Sequence, residues 1–159
     1  MMRRTTLFVI TIVSGVVADI VSKWFVFSQL DRFKKVTLIP GLLNIIRSEN
    51  EGVVFGMFPG KATIFIFLSF LAIAAIVFVY IKSDKNIFGS NIALGLILAG
   101  ALGNLWDRMW FKYVRDFIDL HLGHKYHWPT FNVADSLICV GISLMFFSSF
   151  SSSRHKKSE

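Results

Sequence analysis

Residues 62–81 read ATIFIFLSFLAIAAIVFVYI, twenty residues without a charge between Lys61 and Lys82. A bilayer core is about 30 Å thick, and a helix needs about 20 apolar residues to cross it. This stretch therefore predicts a transmembrane helix. Outward from it, three more segments have the same capacity. Residues 86–106 are uncharged between Lys85 and Asp107, residues 131–153 carry only Asp135, and residues 5–27 carry Asp19 and Lys23. The predicted fold is an all-α integral membrane protein. It has four transmembrane helices (about 5–27, 62–81, 86–106 and 131–153) in a single membrane-embedded domain over residues 1–159.

Composition agrees. The 159 residues are 54% hydrophobic and 17% charged, where soluble domains average about 45–50% and 25%. Mean hydropathy is +0.61. These values exclude intrinsic disorder. Cys139 is the one cysteine, which excludes an internal disulfide framework. Its place in the apolar body of the fourth helix predicts a buried, inert thiol. The first segment begins with Arg3 and Arg4, as a signal peptide would. It lacks a small-residue cleavage site and is interrupted by Asp19 and Lys23, so it reads as a retained helix.

The net charge of +7 is largely topological. Arg3 and Arg4, Lys82 and Lys85, and Arg154, Lys156 and Lys157 fall on one side of a four-span chain, against Asp84 and Glu159. The positive-inside rule then puts both termini in the cytoplasm. No nucleic-acid partner is needed to explain the charge. The opposite side receives two longer loops, about 28–60 and 107–130. The first contains Val36–Ile39, a Pro40-Gly41 turn and Leu42–Arg47, which predicts a small extracytoplasmic β element. Trp24, Trp106, Trp110 and Trp128 fall near the predicted outer ends, where interfacial aromatics belong. Phe65, Phe67, Phe70, Phe78, Phe146 and Phe147 read as lipid-facing or packing groups.

Ionisable groups inside a membrane are costly and mark function by default. Asp19 and Lys23 are four apart, on one helix face, and can pair. Lys23 lies close enough to the outer end to snorkel. Their expected role is structural or orienting. Gly95, Gly100 and Gly103 permit close helix contact. Asn104 and Arg108 are i, i+4 neighbours if the third helix continues. Asn132 and Asp135 have the spacing of a capping box, which alone would explain both. The third helix runs outward and the fourth inward, so Asp116 and Asp135 flank one connecting loop at the outer surface and can converge. Two close carboxylates tend to share a proton. One can then activate water while the other protonates the carbonyl oxygen or leaving amine. Asn104, Asn132 and Arg108 would fix the carboxylates and a bound peptide.

Other readings exist. His121, His124 and His127 are spaced by three, but Gly123 and Pro129 argue for a solvated or interfacial loop rather than a zinc site. Ser22 and Lys23 are adjacent on a helix and point apart, against a serine–lysine pair. A proton-coupled transporter would use Asp19, Lys23 and Asp135 as a relay, whereas the polar groups cluster near one surface. A non-catalytic scaffold would tolerate loss of either carboxylate.

Five motifs, in order, resemble the bacterial lipoprotein signal peptidases (signal peptidase II). They are Asp19-x-x-x-Lys23, Asn50-x-Gly52-x-x-Phe55, Gly103-Asn104-x-x-Asp107-Arg108, Val114-x-Asp116-Phe117-Ile118 and Phe131-Asn132-x-Ala134-Asp135-Ser136. The resemblance implies an aspartic endopeptidase of the bacterial cytoplasmic (inner) membrane. Its substrate would be a diacylglyceryl-modified prolipoprotein, cleaved just before the lipidated cysteine. It implies Asp116 and Asp135 as the catalytic pair, and Asn104, Arg108 and Asn132 as polar groups lining the site. Asn50 corresponds to a loop asparagine near the substrate, and Asp19 and Lys23 to important residues outside the pair. It also implies membrane lipids as partners and globomycin-type inhibitors; no catalytic metal or cofactor is required. Three positions depart from the family pattern: Trp106, Arg115 and the Val53-Val54 pair. Arg115 would place a cation near the dyad.

Overall fold

The computed structural model describes residues 4–52, 62–82, 88–123 and 126–155. Arg3, the Val53-Val54 pair, Phe55, Asp84, Lys85, His124, Lys156, Lys157 and Glu159 lie outside the described residues. Helix α1 spans Arg4–Gln29, α2 Ala62–Lys82, α3 Phe88–Phe111 and α4 Val133–His155. Strands β1 (Lys35–Ile39) and β2 (Leu43–Asn50) separate α1 from α2. Strands β3 (Val114–Leu122) and β4 (Tyr126–His127) separate α3 from α4.

Among the described residues, three helices are long and apolar enough to cross a membrane: Thr5–Gln29, Thr63–Lys82 and Ser90–Phe111. The apolar part of α4, Val133–Ser148, is shorter. Helix α3 is the hub, with 56% of its most apolar stretch buried against 6% for α2. Helix α2 instead turns Phe67, Phe70 and Phe78 outward, while Phe65 is buried. A small core of Phe8, Leu94 and Leu98 joins α1 to α3, with Ile73, Ile76 and Tyr80 of α2 packed against it.

Small residues let α3 approach its neighbours. A Cβ on Gly100 would collide with the Ala134 carbonyl oxygen of α4 and lie 2.7 Å from Ile138 Cγ1. A Cβ on Gly103 would collide with the Asp19 carboxylate of α1. The predicted close contacts are thus present at both glycines.

The polar loops contain more structure than predicted. All four strands form one antiparallel sheet in the order β1-β2-β3-β4. The expected Pro40-Gly41 turn closes the β1–β2 hairpin, with Gly41 at φ +76°. Residues 107–130, expected to be a loop, supply the end of α3 and two strands. Helix α3 continues five residues past the predicted end at 106. It stops where Lys112 adopts φ +68°, an uncommon conformation for a residue with a side chain. That turn sends the chain back as β3. Helix α4 starts at Val133, two residues later than expected.

The Gly100 contact is testable. Replacing Gly100 by valine should lower stability by roughly 1–3 kcal/mol through overpacking, read as a lower unfolding midpoint in detergent. An unchanged midpoint would contradict the α3–α4 contact.

Candidate active site

Asp116 is placed by β3 and Asp135 by the first turn of α4. Both line one cavity of about 600 Å³. Asn50, Asn104 and Arg108 line it too, together with the apolar Val114, Leu120, Ile138 and Val140. The two-residue period of β3 puts Val114, Asp116 and Leu120 on the cavity face and Arg115 on the other.

Three asparagines hold the carboxylates. Asn132 Nδ2 donates to Asp116 Oδ1 at 2.7 Å and to Asn104 Oδ1 at 3.2 Å. Asn104 Nδ2 donates to Asp135 Oδ1 at 2.8 Å. Asn50, the last residue of β2, donates from Nδ2 to Asp116 Oδ2 at 2.9 Å. Its own Oδ1 accepts from the Gly52 amide, which fixes the amide group in place. The capping box is real as well: the Asn132 amide donates to Asp135 Oδ2 at 3.1 Å, and the Asp135 amide to Asn132 Oδ1 at 3.1 Å. Capping and site geometry are therefore the same set of bonds. Burial pushes the Asp116 carboxyl up to about 7, and the nearby Asp135 charge adds to the rise; the bonds from Asn50 and Asn132 act against it. Arg108 donates to the Asn104 carbonyl at 3.4 Å and lies over the Phe65 ring.

Beneath the asparagines lies a buried ionic cluster. Lys23 and Asp19 have no exposed surface. An ammonium has three donors, and Lys23 Nζ has three acceptors: Asp19 Oδ2 at 2.7 Å, Asn104 Oδ1 at 3.1 Å and Asp107 Oδ2 at 3.3 Å. Lys23 does not snorkel; it points into the bundle because three partners wait there. Asp19 Oδ1 also accepts the Ala134 amide at 2.9 Å, tying α1 to the start of α4.

Arg115 also departs from expectation. Its side chain is held by Asp107 Oδ1, from Nε at 3.1 Å and from Nη2 at 2.8 Å. It stacks over Phe111 at 4.5 Å. The strand period turns it away from the carboxylate pair, so it clamps β3 to α3 rather than adding a cation to the cavity. In the sequence Asp107 stands only within a motif; its signal is a carboxylate one residue before Arg108, in a helix that continues. Cys139 is exposed rather than buried, and it lines the cavity. His121 and His127 lie on strands, not in a loop.

Comparison with known proteins adds an independent line. Residues 11–151 match the family model for signal peptidase (SPase) II. The chain is 33% identical over 137 residues to a lipoprotein signal peptidase of Clostridium novyi (strain NT), covering 86% of this chain and 93% of that protein. It is 42% identical over 130 residues to one from Thermodesulfovibrio yellowstonii, covering 81% and 84% respectively. A solved bacterial membrane enzyme is similar with a TM-score of 0.86 and 31% identity, over 96% of this chain and 93% of that one.

Removing Lys23 tests the buried cluster. Lys23→Met leaves Asp19 and Asp107 without their shared cation. Stability should fall by about 3–5 kcal/mol, the usual cost of breaking a buried ion pair. Denaturant unfolding in micelles measures it; a change under about 1 kcal/mol would show that the cluster is not what holds α1 to α3.

Proposed function

The chain belongs to the signal peptidase II family, and on that premise we propose that Asp116 and Asp135 make it an aspartic endopeptidase. As a lipoprotein signal peptidase, it removes signal peptides from prolipoproteins during lipoprotein maturation. The observation that carries the aspartic mechanism is the pair itself: two carboxylates on one cavity, each held by asparagine amides.

In the proposed reaction Asp116 carries the shared proton and Asp135 is the base. Asp135 takes a proton from water as the water oxygen attacks the scissile carbonyl carbon. Asp116 gives its proton to the carbonyl oxygen, and a tetrahedral diol forms. Collapse of the diol breaks the C–N bond: a diol hydroxyl returns its proton to Asp116 as the carbonyl re-forms, and the proton on Asp135 passes to the leaving amine. The signal peptide leaves with a new carboxylate, and the product keeps a free amino group. Asn104 and Asn132 hold the two oxygens still, so little reorganisation is needed at the moment of reaction. Arg108 and Asn50 would contact the peptide backbone.

The substrate proposed is a prolipoprotein whose cysteine already bears diacylglycerol, cut just before that cysteine. The cavity supports this. Beside its polar groups it is lined by Val114, Leu120, Ile138 and Val140, which can accept acyl chains or the signal helix. Globomycin-type inhibitors would occupy the same space. We place the enzyme in the bacterial inner membrane as one four-span domain, with α4 as the last span. The basic residues put both termini in the cytoplasm. Strand β3 and the start of α4, which bear the pair, then lie at the extracytoplasmic surface, where a membrane-held substrate can meet water.

Asp116→Asn and Asp135→Asn, made separately, should each lower cleavage of the lipid-modified substrate by roughly 10²–10⁴-fold or more, with folding retained. Full turnover by either variant would refute the pair. A substrate without its diacylglyceryl group should be cut far more slowly; equal rates would reject lipid recognition.

The pH dependence follows from Asp116. Its proton stays on below about pH 7 and leaves as pH rises through that value. kcat/KM should therefore decline on the alkaline side of about 7, and a flat profile to pH 9 would contradict Asp116 as the acid.

A further inference from the structure

The face of the sheet opposite the cavity carries a polar row that the peptidase reaction does not use. It crosses all four strands. Thr37 of β1 donates to Asn44 Oδ1 of β2 at 2.9 Å, and Asn44 Nδ2 donates to Asp119 Oδ2 of β3 at 2.9 Å. Asp119 Oδ1 lies 3.3 Å from His127 Nδ1 of β4. His121 sits two residues beyond Asp119 on the same face of β3 and is the direct cross-strand partner of His127. Its Nδ1 lies 3.7 Å from Asp119 Oδ2.

We propose that Asp119, His121 and His127 form a binding site for one divalent transition-metal cation of the zinc type.

Three observations support it. First, the donor set is two imidazoles and one carboxylate, which suits zinc with a fourth position left for water. Second, the spacing is close to what a metal needs. Bonds of about 2.0–2.2 Å at tetrahedral angles put ligand atoms roughly 3.3–3.5 Å apart. His127 Nδ1 lies 3.3 Å from Asp119 Oδ1 and His121 Nδ1 3.7 Å from the other oxygen, Oδ2; one ligand atom from each of the three residues lies within 4.8 Å of the others. The remaining adjustment falls to His127, whose side chain is 57% exposed; its ring stacks on His121 with centroids 5.2 Å apart and would have to turn out of that stack to share an ion with it. Third, both imidazoles address one carboxylate at distances longer than the about 2.7–2.9 Å of a charge-assisted hydrogen bond. Meanwhile Asn44 and Thr37 fix that carboxylate from behind, as the outer partners of metal ligands do. A plain His–Asp pair needs only one imidazole.

The site is wired to the cavity. Leu120, between two of the ligands, and Trp128, immediately after the third, both line it. The Trp128 amide donates to the Leu120 carbonyl at 2.8 Å. A cation bridging β3 and β4 would staple this wall of the cavity without touching the carboxylate pair.

The test uses untagged, full-length protein in detergent, titrated with Zn2+ by calorimetry and with Co2+ by visible absorption. One Zn2+ should bind per chain, Co2+ should show tetrahedral bands, and Zn2+ should slow hydrogen exchange of the Trp128 amide. His121→Ala and His127→Ala should each weaken binding at least about tenfold, while His155→Ala and His124→Ala leave it unchanged. Asp119→Asn keeps the side chain's shape and its bond from Asn44. It should also weaken binding, and it carries the test if a histidine variant fails to fold. Absence of stoichiometric binding, or binding that survives loss of His121 and His127, would overturn the proposal. Prolipoprotein cleavage by the metal-free protein is read separately, so the metal site can fail while the peptidase reading stands, and the reverse.

Discussion

The side chain of Asn132 is the constraint on which the site rests. It has no exposed surface, and all its polar atoms are used. One amide group reaches Asp116 on β3 and Asn104 on α3, while its oxygen accepts the Asp135 amide on α4. Three elements that are distant in sequence are thereby fixed around two carboxylates. A buried polar group left unpaired costs about 1–3 kcal/mol, so partial versions of this arrangement are disfavoured. The arrangement tends to form whole or not at all.

Below Asn132 the same logic is carried by charge. Lys23, Asp19, Asp107 and Arg115 are two cations and two anions in one buried cluster, connected by short bonds. Through Asn104 the cluster supports the carboxylate pair, and through the Ala134 amide it supports the start of α4. Such a cluster is weak evidence for stability and better evidence for specificity of arrangement. Here it fixes the rotation of α1 against α3, which packing of small residues alone would leave loose. Gly103 is part of it, because only a residue without Cβ leaves room for the Asp19 carboxylate.

Much of this was legible in the sequence, and the reasons are specific. The twenty uncharged residues of α2 admit one reading. Pro40-Gly41 between apolar runs marks a hairpin. Asp19 and Lys23, four apart in an apolar helix, must pair. Asn132 and Asp135 have capping-box spacing. The third and fourth helices run in opposite senses, which brings Asp116 towards Asp135. What was not legible depends on tertiary contacts. Strand β3, Val-Arg-Asp-Phe-Ile-Asp-Leu-His-Leu, is buried on both faces with charges on each, so period-two patterning fails. Arg115 looked like a neighbour of the carboxylates because it is adjacent in sequence, but the strand turns it to Asp107. Lys23 looked able to reach the interface because its three acceptors come from α1 itself and from α3, 81 or more residues away. Cys139 looked buried because an apolar helix face says nothing about a cavity opening along it.

The central claim is that these amides hold two carboxylates together so that they share one proton. Infrared difference spectroscopy of the folded enzyme in lipid reads that proton directly through the carboxylic C=O band. The account predicts a band that disappears as pH rises through about 7 and that is missing in Asp116→Asn. A band that persists unchanged in Asp116→Asn, or no protonated carboxyl titrating in that range, would contradict it.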